Sequence, residues 1–229
     1  MWHRRIALAL ALLAAVLLAA SGLGVRAGLW PFRFGFGMFA GALFAGLAAA
    51  GTAAVALAVP RLRTGSVAIL LCALLIGLAA AAVPLDHLRR VKTLPYINDI
   101  TTDTEKPLEF LVATVPQYPS HFAELQRIGY ADLQPLQLAV PPAQAFARAQ
   151  AAAQALGWEI VAADERAGRI EATATTRWFG FKDDIAVRVA AAGSGSRIDV
   201  RSRSRVGRSD LGANAKRIQD FLTRVKALQ

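Results

Sequence analysis

Three long, uncharged apolar runs dominate the first 85 residues of the chain. They cover Ile6–Val25, Phe36–Val59 and Ser66–Leu85, which are 20, 24 and 20 residues long. At about 1.5 Å rise per residue, twenty helical residues cross the roughly 30 Å hydrocarbon core of a bilayer. Basic residues flank every run, which is typical of spanning helices. No charged residue lies inside a run, so the sequence does not favour a transporter. Residues 1–85 are therefore predicted to form a three-helix transmembrane region.

The first run has an alternative interpretation as a cleaved signal peptide. It begins with basic residues, and small residues follow at Ala19–Ser21. Its apolar core is longer than the 7–15 residues usual for a signal peptide. The length therefore favours a permanent membrane anchor.

The second run is rich in small residues, which allow helix backbones to approach closely. Gly37 and Gly41 form a G-x-x-x-G motif, and Ala45 and Ala49 continue its four-residue spacing. Such spacing is typical of helix contacts within membranes. The alternative, which we favour on sequence alone, is that Ala and Gly reflect only the biased composition of the chain.

The flanking charges are nearly tied between the two possible orientations of the anchor. The side of the N-terminus carries Arg4, Arg5, Arg61 and Arg63. The opposite side carries Arg26, Arg33, Arg89, Arg90 and Lys92. The amino terminus and the usual dominance of the first helix favour an N-terminus inside the cytoplasm. The C-terminal domain is then expected outside the cytoplasm, attached to the inner (plasma) membrane by a multi-pass anchor.

Residues 86–229 are predicted to form an α+β soluble domain. The pattern indicates a helix at Ala143–Leu156 and a final helix at Asp210–Leu228, which Ser209 or Asp210 caps. Four strands are expected between them, at Trp158–Ala163, Arg169–Thr176, Asp184–Ala191 and Arg197–Val206. This order predicts an antiparallel four-stranded sheet with the helices packed on one face. Residues 86–95 are expected to be extended, and 107–140 mostly irregular and wrapped around the domain.

Charge is distributed unevenly along the chain. The 229 residues carry a formal net charge of +10, yet all sixteen acidic residues lie at or after Asp86. Residues 1–85 hold six arginines and no acid, so six of the ten net charges flank the predicted spans. The membrane accounts for this basic balance, and a nucleic-acid partner is not expected.

The last predicted strand carries a row of charged side chains on one face. Opposite the apolar positions Ile198 and Val200, the alternate positions are occupied by Arg197, Asp199, Arg201, Arg203 and Arg205. One interpretation is an arginine-lined surface for phosphate or carboxylate groups. The other, which is commoner for charged rows, is a solvated outer face of the sheet that is partly paired with acidic residues.

Longer motifs surround this row. Arg177–Asp184 contains a Phe-x-Asp-Asp stretch, and Val200–Arg217 contains Arg-Ser-x-Ser-Arg-x-Gly-x-Ser-Asp-x-Gly-x-Asn-x-x-Arg. Together with Asp99–Asp103, these motifs resemble the family called domain of unknown function 1499, over about residues 96–229. The family usually has Pro-Pro-x-Phe where this chain has Pro107–Phe110. The resemblance implies no reaction or ligand, but the family's membrane-attached and exported members imply a role in the cell envelope.

The family-matching segment supplies the candidate ligand-binding residues. It joins a strand end to a helix N-terminus, where unpaired N–H groups favour an anion. The candidates are Asp183, Asp184, Arg201, Ser202, Ser204, Arg205, Ser209, Asp210, Asn214 and Arg217. An equally weighted alternative is a structural lock, in which the two aspartates pair with Arg201 and Arg205 across neighbouring strands.

No catalytic constellation emerges from the sequence. The three histidines and the single cysteine are scattered, without the spacing of metal ligands, and no cofactor is expected. Asp183 and Asp184 are adjacent on a strand and therefore face opposite sides, a poor geometry for paired carboxylates. The leading hypothesis is a non-enzymatic envelope module that binds an anionic ligand, a lipid headgroup or a partner protein. The alternative is a membrane-anchored hydrolase that uses Asp183 or Asp184 with Ser209 or Asn214.

Overall fold

The computed structural model describes residues 2–63 and 65–228 and divides them into two compact units. The first, called the helical unit, comprises residues 2–92 together with the short segment Arg177–Gly180. The second, called the sheet unit, comprises Thr93–Thr176 and residues 181–228.

The helical unit contains three long helices, α1 (Trp2–Arg26), α2 (Phe32–Ala58) and α3 (Val67–Thr93). A short 3-10 turn at Pro60–Leu62 follows α2. By length and composition, each of the three helices is apolar enough to cross a membrane, and each covers one of the predicted runs to within one residue. The chain therefore has three candidate membrane spans among its described residues.

The prediction of an extended stretch at residues 86–95 is wrong, because α3 continues to Thr93. Asp86 accepts a hydrogen bond from Nε of Arg90 at 2.7 Å, one helical turn later. An acidic residue four positions before a basic one stabilises a helix, so the charged end of α3 remains helical.

Two helices of this unit, α2 and α3, approach each other closely at Gly46 and Gly77. A Cβ atom at Gly46 would lie 2.6 Å from the carbonyl oxygen of Gly77, and the reverse distance is 2.7 Å. By contrast, a Cβ at Gly37 would meet nothing within 4 Å, and one at Gly41 only a methyl of Leu17. The close backbone approach that the G-x-x-x-G motif suggested therefore occurs elsewhere, between α2 and α3.

The sheet unit contains six strands and three helices. In chain order they are β1 (Asp99–Thr101), α4 (Phe122–Gly129), β2 (Leu136–Leu138), α5 (Pro142–Ala155), β3 (Glu159–Asp164), β4 (Arg169–Thr175), β5 (Lys182–Ala192), β6 (Gly195–Ser204) and α6 (Ala213–Ala227). The strand order is β1-β6-β5-β4-β3, with all pairs antiparallel, and β2 also pairs with β6. The four predicted strands are present within two residues at each end.

The predicted count of four strands is wrong, because β1 and β2 extend the sheet to six. Both lie along the same edge of β6: Asp99–Thr101 pairs with its C-terminal part and Leu136–Leu138 with its N-terminal part. Each is only three residues long, too short for the alternation that identifies a strand in sequence. The side chain of Gln126 on α4 covers the other edge of β1, since it accepts a hydrogen bond from N–H of Thr101 and donates one to its carbonyl.

The two faces of the sheet are both buried, but by different means. The inner face packs against α5 and α6 and presents the apolar residues Ile170, Ile185, Val187, Ile198 and Val200. The indole ring of Trp158 stacks on Phe221 of α6 at 4.9 Å between centroids, within the same core. The outer face presents charged side chains that are nevertheless almost inaccessible: Glu171, Asp184, Asp199 and Arg201. The core therefore lies on one side of the sheet and a buried polar layer on the other.

We predict that Gly46→Ala destabilises the full-length protein by about 1–3 kcal/mol, because the new methyl group overpacks a backbone contact. Gly51→Ala is the matched control, since a Cβ there meets nothing within 4 Å. Alanine is the better helix former by about 1 kcal/mol, so the control should be neutral or stabilising. Thermal unfolding in detergent measures both. Equal effects of the two substitutions would contradict the close α2–α3 approach.

Candidate functional site

Arg201 lies at the centre of the buried polar layer, with only 1% of its surface exposed. Its Nε donates to Oδ1 of Asp99 at 2.9 Å and its Nη2 to Oδ2 at 2.7 Å, a bidentate pair between β6 and β1. Two of the three remaining N–H groups donate to the carbonyls of Leu108 at 2.7 Å and Pro116 at 3.0 Å. The guanidinium is therefore held inside the protein by four hydrogen bonds and does not present itself to a ligand.

The segment 103–120, called the strap, covers the outer face of the sheet. Phe110 and Tyr118 place their rings 5.2 and 5.7 Å from the guanidinium carbon of Arg201. Burial raises the pKa of the Tyr118 hydroxyl, and the neighbouring Asp99 carboxylate adds to the increase. The interpretation of the charged row as a solvated face is therefore wrong for Arg201, which the strap buries, whereas Arg203 and Arg205 at the end of the row remain partly exposed.

The carboxylate of Glu171 fastens the middle of the strap. It accepts hydrogen bonds from three successive backbone N–H groups, those of Leu111, Val112 (3.0 Å) and Ala113 (3.2 Å). Arg169, two residues earlier on β4, donates to the carbonyl of Glu109. Because the strap has little secondary structure of its own, these side chains of the sheet satisfy its backbone groups.

A second ionic cluster lies at the other end of β6. Arg188 and Arg197 donate to Asp199 at 3.1 and 2.8 Å, and both also reach Asp103, at 3.2 and 3.0 Å. The hydrogen bonds that Arg197 donates to Asp199 raise the pKa of Arg197. A cavity of about 380 Å³ adjoins this cluster. Its two arginines and two aspartates are balanced in charge, so the cluster holds itself together and has no need of a further ion.

A third network fills the inner side of the sheet beneath α6. Asn214 accepts a hydrogen bond from Oγ of Ser202 at 2.7 Å and donates one to Oγ of Ser204 at 3.0 Å. Arg217 donates to Ser202 at 2.9 Å and makes a close ion pair with Asp183. Burial raises the pKa of the Asp183 carboxyl, whereas the Arg217 guanidinium opposes that shift. These five predicted site residues therefore lock α6 to β5 and β6.

The start of α6 is also closed by its own residues. The helix begins at Ala213, with Gly212 at the N-cap, so the predicted start at about Asp210 is three residues early. Asp210 accepts hydrogen bonds from N–H of Gly212 at 2.8 Å and of Asn214 at 2.9 Å, so its carboxylate caps the first turn from two residues before the N-cap. Gly212 has φ +82°, a left-handed conformation that suits glycine. The helix N-terminus therefore carries a bound carboxylate already.

An open site remains where β6 ends. A cavity of about 350 Å³ is lined by Asp184, Arg203, Ser204, Arg205 and the strap residues 113–116. Arg205 donates to Asp184 through Nε at 3.1 and 3.0 Å and through Nη2 at 2.6 Å. Arg203 approaches Asp99 only to 3.6 Å, and within the described residues its guanidinium makes no hydrogen bond. The side chains of Arg203 and Arg205 are 23% and 46% exposed, so both are accessible from the cavity.

The predicted site residues thus lie in four places. Asp184 and Arg205 line the cavity, Arg201 is bound to Asp99, and Ser209 and Asp210 lie just before α6. The network beneath α6 contains Asp183, Ser202, Asn214 and Arg217, and Ser204 belongs both to this network and to the cavity lining. The predicted lock is confirmed for Asp184 with Arg205 and is wrong for Arg201, because Asp183 pairs with Arg217 instead.

Arg203 is the cavity residue missing from the sequence candidates. It occupies a variable position of the family pattern, although the alternation along β6 already placed it on the same face as Arg201 and Arg205. Among residues 2–63 and 65–228, no group of three or more His, Cys, Asp or Glu side chains is placed to hold a metal ion.

The fold and the site define a class of protein: three candidate membrane-spanning helices followed by an α+β domain with a strap-covered polar face. Residues 99–225, more than half of the chain, match the family described as "Protein of unknown function (DUF1499)". The chain therefore belongs to this family, as the motifs at Arg177–Asp184 and Val200–Arg217 indicated. No curated protein matches the chain.

We predict that Asp99→Asn destabilises the protein by about 3–5 kcal/mol, because it leaves the buried Arg201 guanidinium without its counter-charge. Asp220→Asn is the control: Asp220 pairs with Lys216 one turn away on α6, but both side chains are about half exposed or more. Exposed pairs contribute less than about 1 kcal/mol. Urea unfolding of the full-length protein in detergent compares the two variants. An Asp99 variant as stable as the Asp220 variant would contradict the central role of the buried pair.

Proposed function

We propose that this protein is a membrane-anchored, non-enzymatic binding module. Its cavity at the end of β6 binds an anion that carries a phosphate group. The observation that carries the proposal is the guanidinium of Arg203, which faces the cavity with its hydrogen-bond donors unused by the described residues. Arg205 stands at the same cavity and supplies a second guanidinium.

The charges around the cavity support an anionic ligand. Within 4 Å, the three guanidiniums of Arg201, Arg203 and Arg205 pair with two carboxylates, those of Asp99 and Asp184, and Glu159 acts on Arg205 from farther away. The compensation is weakest at Arg203, whose contact with Asp99 is the longest of the three. In a partly buried site, an ion of opposite charge stabilises such a guanidinium. In the other ionic cluster, at Asp103, both arginines are closely paired.

The size and the donor chemistry narrow the ligand class. About 350 Å³ lies at the small end of ligand-site volumes, enough for a phosphate group with a short organic substituent. Arginine forks bind phosphate oxygens in pairs, with charge-assisted hydrogen bonds. A phosphate ester is the favoured chemistry, whether it comes from a lipid headgroup or from a free metabolite.

The hydrolase alternative receives less support from the geometry. Asp183 and Asp184 lie on opposite faces of β5, and Asp183 is buried in the pair with Arg217. Asp184 reaches the cavity, but it already accepts three hydrogen bonds from Arg205. Ser209 and Asn214 belong to the α6 network and are absent from the cavity lining. Binding without chemistry is therefore the function that we favour.

The binding test compares Arg203→Gln with Arg208→Gln, an exposed arginine outside the cavity lining. Full-length protein is titrated calorimetrically with inorganic phosphate, with glycerol phosphate and with vesicles that contain anionic phospholipid. We expect Arg203→Gln to weaken binding by about ten- to a hundredfold, the value of one charge-assisted hydrogen bond or more, and the control to leave it unchanged.

The probes also separate the sources of the ligand. Binding of glycerol phosphate and phosphate identifies a soluble ester, and binding of vesicles alone identifies a headgroup. Absence of binding to all three probes, or equal weakening by both variants, would overturn the proposal.

We also propose that the sheet unit lies outside the cytoplasm, in the cell envelope, with the anchor in the inner membrane. The proposal rests on the resemblance to exported family members and on the amino terminus and first helix, which favour an inside N-terminus, since the flanking charges are nearly tied. Reporter fusions after Arg63 and after Gln229 test it, with one reporter active only inside the cytoplasm and one only outside. We expect the first fusion to report inside and the second outside. A cytoplasmic signal from the fusion after Gln229 would contradict this orientation.

A further inference from the structure

The segment Arg177–Gly180 connects β4 to β5, yet its contacts place it in the helical unit. The indole of Trp178 lies directly against Gly22 of α1: a Cβ atom at Gly22 would be 1.4 Å from its Cδ1. Only glycine leaves space for the ring at this position of the helix. The same ring meets Phe39 of α2 edge to face, at 6.4 Å between centroids.

Further contacts hold this segment in place. The ring of Phe179 lies 5.1 Å from that of Phe36 and 6.3 Å from that of Phe39. At the end of α1, Nη1 of Arg26 donates a hydrogen bond to the carbonyl of Arg177 at 2.6 Å. Aromatic packing and a backbone hydrogen bond therefore fix the segment against two spanning helices.

A groove of about 320 Å³ opens beside this contact, lined by Ala19, Leu23, Arg177 and Trp178. Three of the four lining residues are apolar. Leu23 is 59% exposed and Trp178 is 36% exposed, so the groove is open along its length. Ala19 lies seven residues before Arg26, which is about 10 Å along the helix axis. The groove therefore occupies the depth at which the hydrocarbon core of a bilayer gives way to headgroups.

We infer that this groove binds one phospholipid with an anionic headgroup. The acyl chain lies along Ala19, Leu23 and the indole of Trp178, and the lipid phosphate meets the guanidinium of Arg177. Lipid is the occupant because a helix of this length and hydropathy is surrounded by it, and because tryptophan prefers the interface between chains and headgroups. Arg177 complements the charge of a phosphate, since it forms no ion pair with any other described residue.

This site is separate from the cavity at Arg203, and every residue from which it is inferred belongs to the helical unit. It would hold even if the cavity bound nothing.

The test measures the quenching of Trp178 fluorescence by brominated lipids in nanodiscs. The substitutions Trp2→Phe and Trp30→Phe remove the other tryptophans of the helical unit. A variant that also carries Trp178→Phe measures the fluorescence of the buried Trp158 alone, which is then subtracted. Brominated phosphatidylglycerol is compared with brominated phosphatidylcholine at the same mole fraction. One lipid-facing arginine favours anionic lipid by about 1 kcal/mol, so we expect about a fivefold preference for phosphatidylglycerol.

Two variants make the result specific. Arg177→Gln should abolish the preference for phosphatidylglycerol, whereas Arg166→Gln, at an exposed arginine between β3 and β4, should retain it. Ala19→Phe fills the groove without removing any charge and should lower the quenching by both lipids. Equal quenching of Trp178 by the two lipids in the unsubstituted protein, or a preference that survives Arg177→Gln, would overturn the inference.

Discussion

The buried pair between Arg201 and Asp99 is the interaction on which the rest of the sheet unit depends. A guanidinium inside a protein is tolerated only when every charge and most N–H groups find partners. Asp99 supplies the counter-charge from β1, and the carbonyls of Leu108 and Pro116 supply the remaining acceptors from the strap. One side chain therefore joins the central strand, an edge strand and the covering segment. Loss of any of these partners would leave a charge or a donor unsatisfied.

The pairing of Arg201 with Asp99 also determines which arginine is available to a ligand. Asp99 is committed to the bidentate pair, so Arg203 reaches it only at 3.6 Å, and Asp184 is committed to Arg205. The least compensated guanidinium, that of Arg203, therefore lies at the cavity at the end of β6 and not at the centre of the sheet. Residues of the family pattern lie both in the buried network and at the cavity. Most of the arginines and serines of this motif therefore have structural roles in this protein.

Sequence patterns predicted the long elements of this protein and missed the short ones. The spans, the four longer strands and the two helices on one face follow from periodicity over ten or more residues or from clean alternation. The three-residue strands β1 and β2 have no such signal, because they exist only through pairing with β6. The site was harder to predict than the fold. Alternation placed Arg201 and Arg203 on one face, but their burial depends on the strap, which covers Arg201 and leaves Arg203 accessible. The strap in turn depends on Glu171, an isolated residue in β4 with no motif around it.

The most direct test of this account is amide hydrogen exchange along the strap of the full-length protein, with and without glycerol phosphate. Thr114 and Val115 line the cavity, whereas the amides of Leu111 and Val112 are already bound to Glu171. The account predicts that the ligand slows exchange at residues 114–115 and leaves the stretch 103–106 beside the other cavity unchanged. Slower exchange at 103–106 without any change at 114–115 would contradict it, because the charge-balanced cluster would then be the binding site.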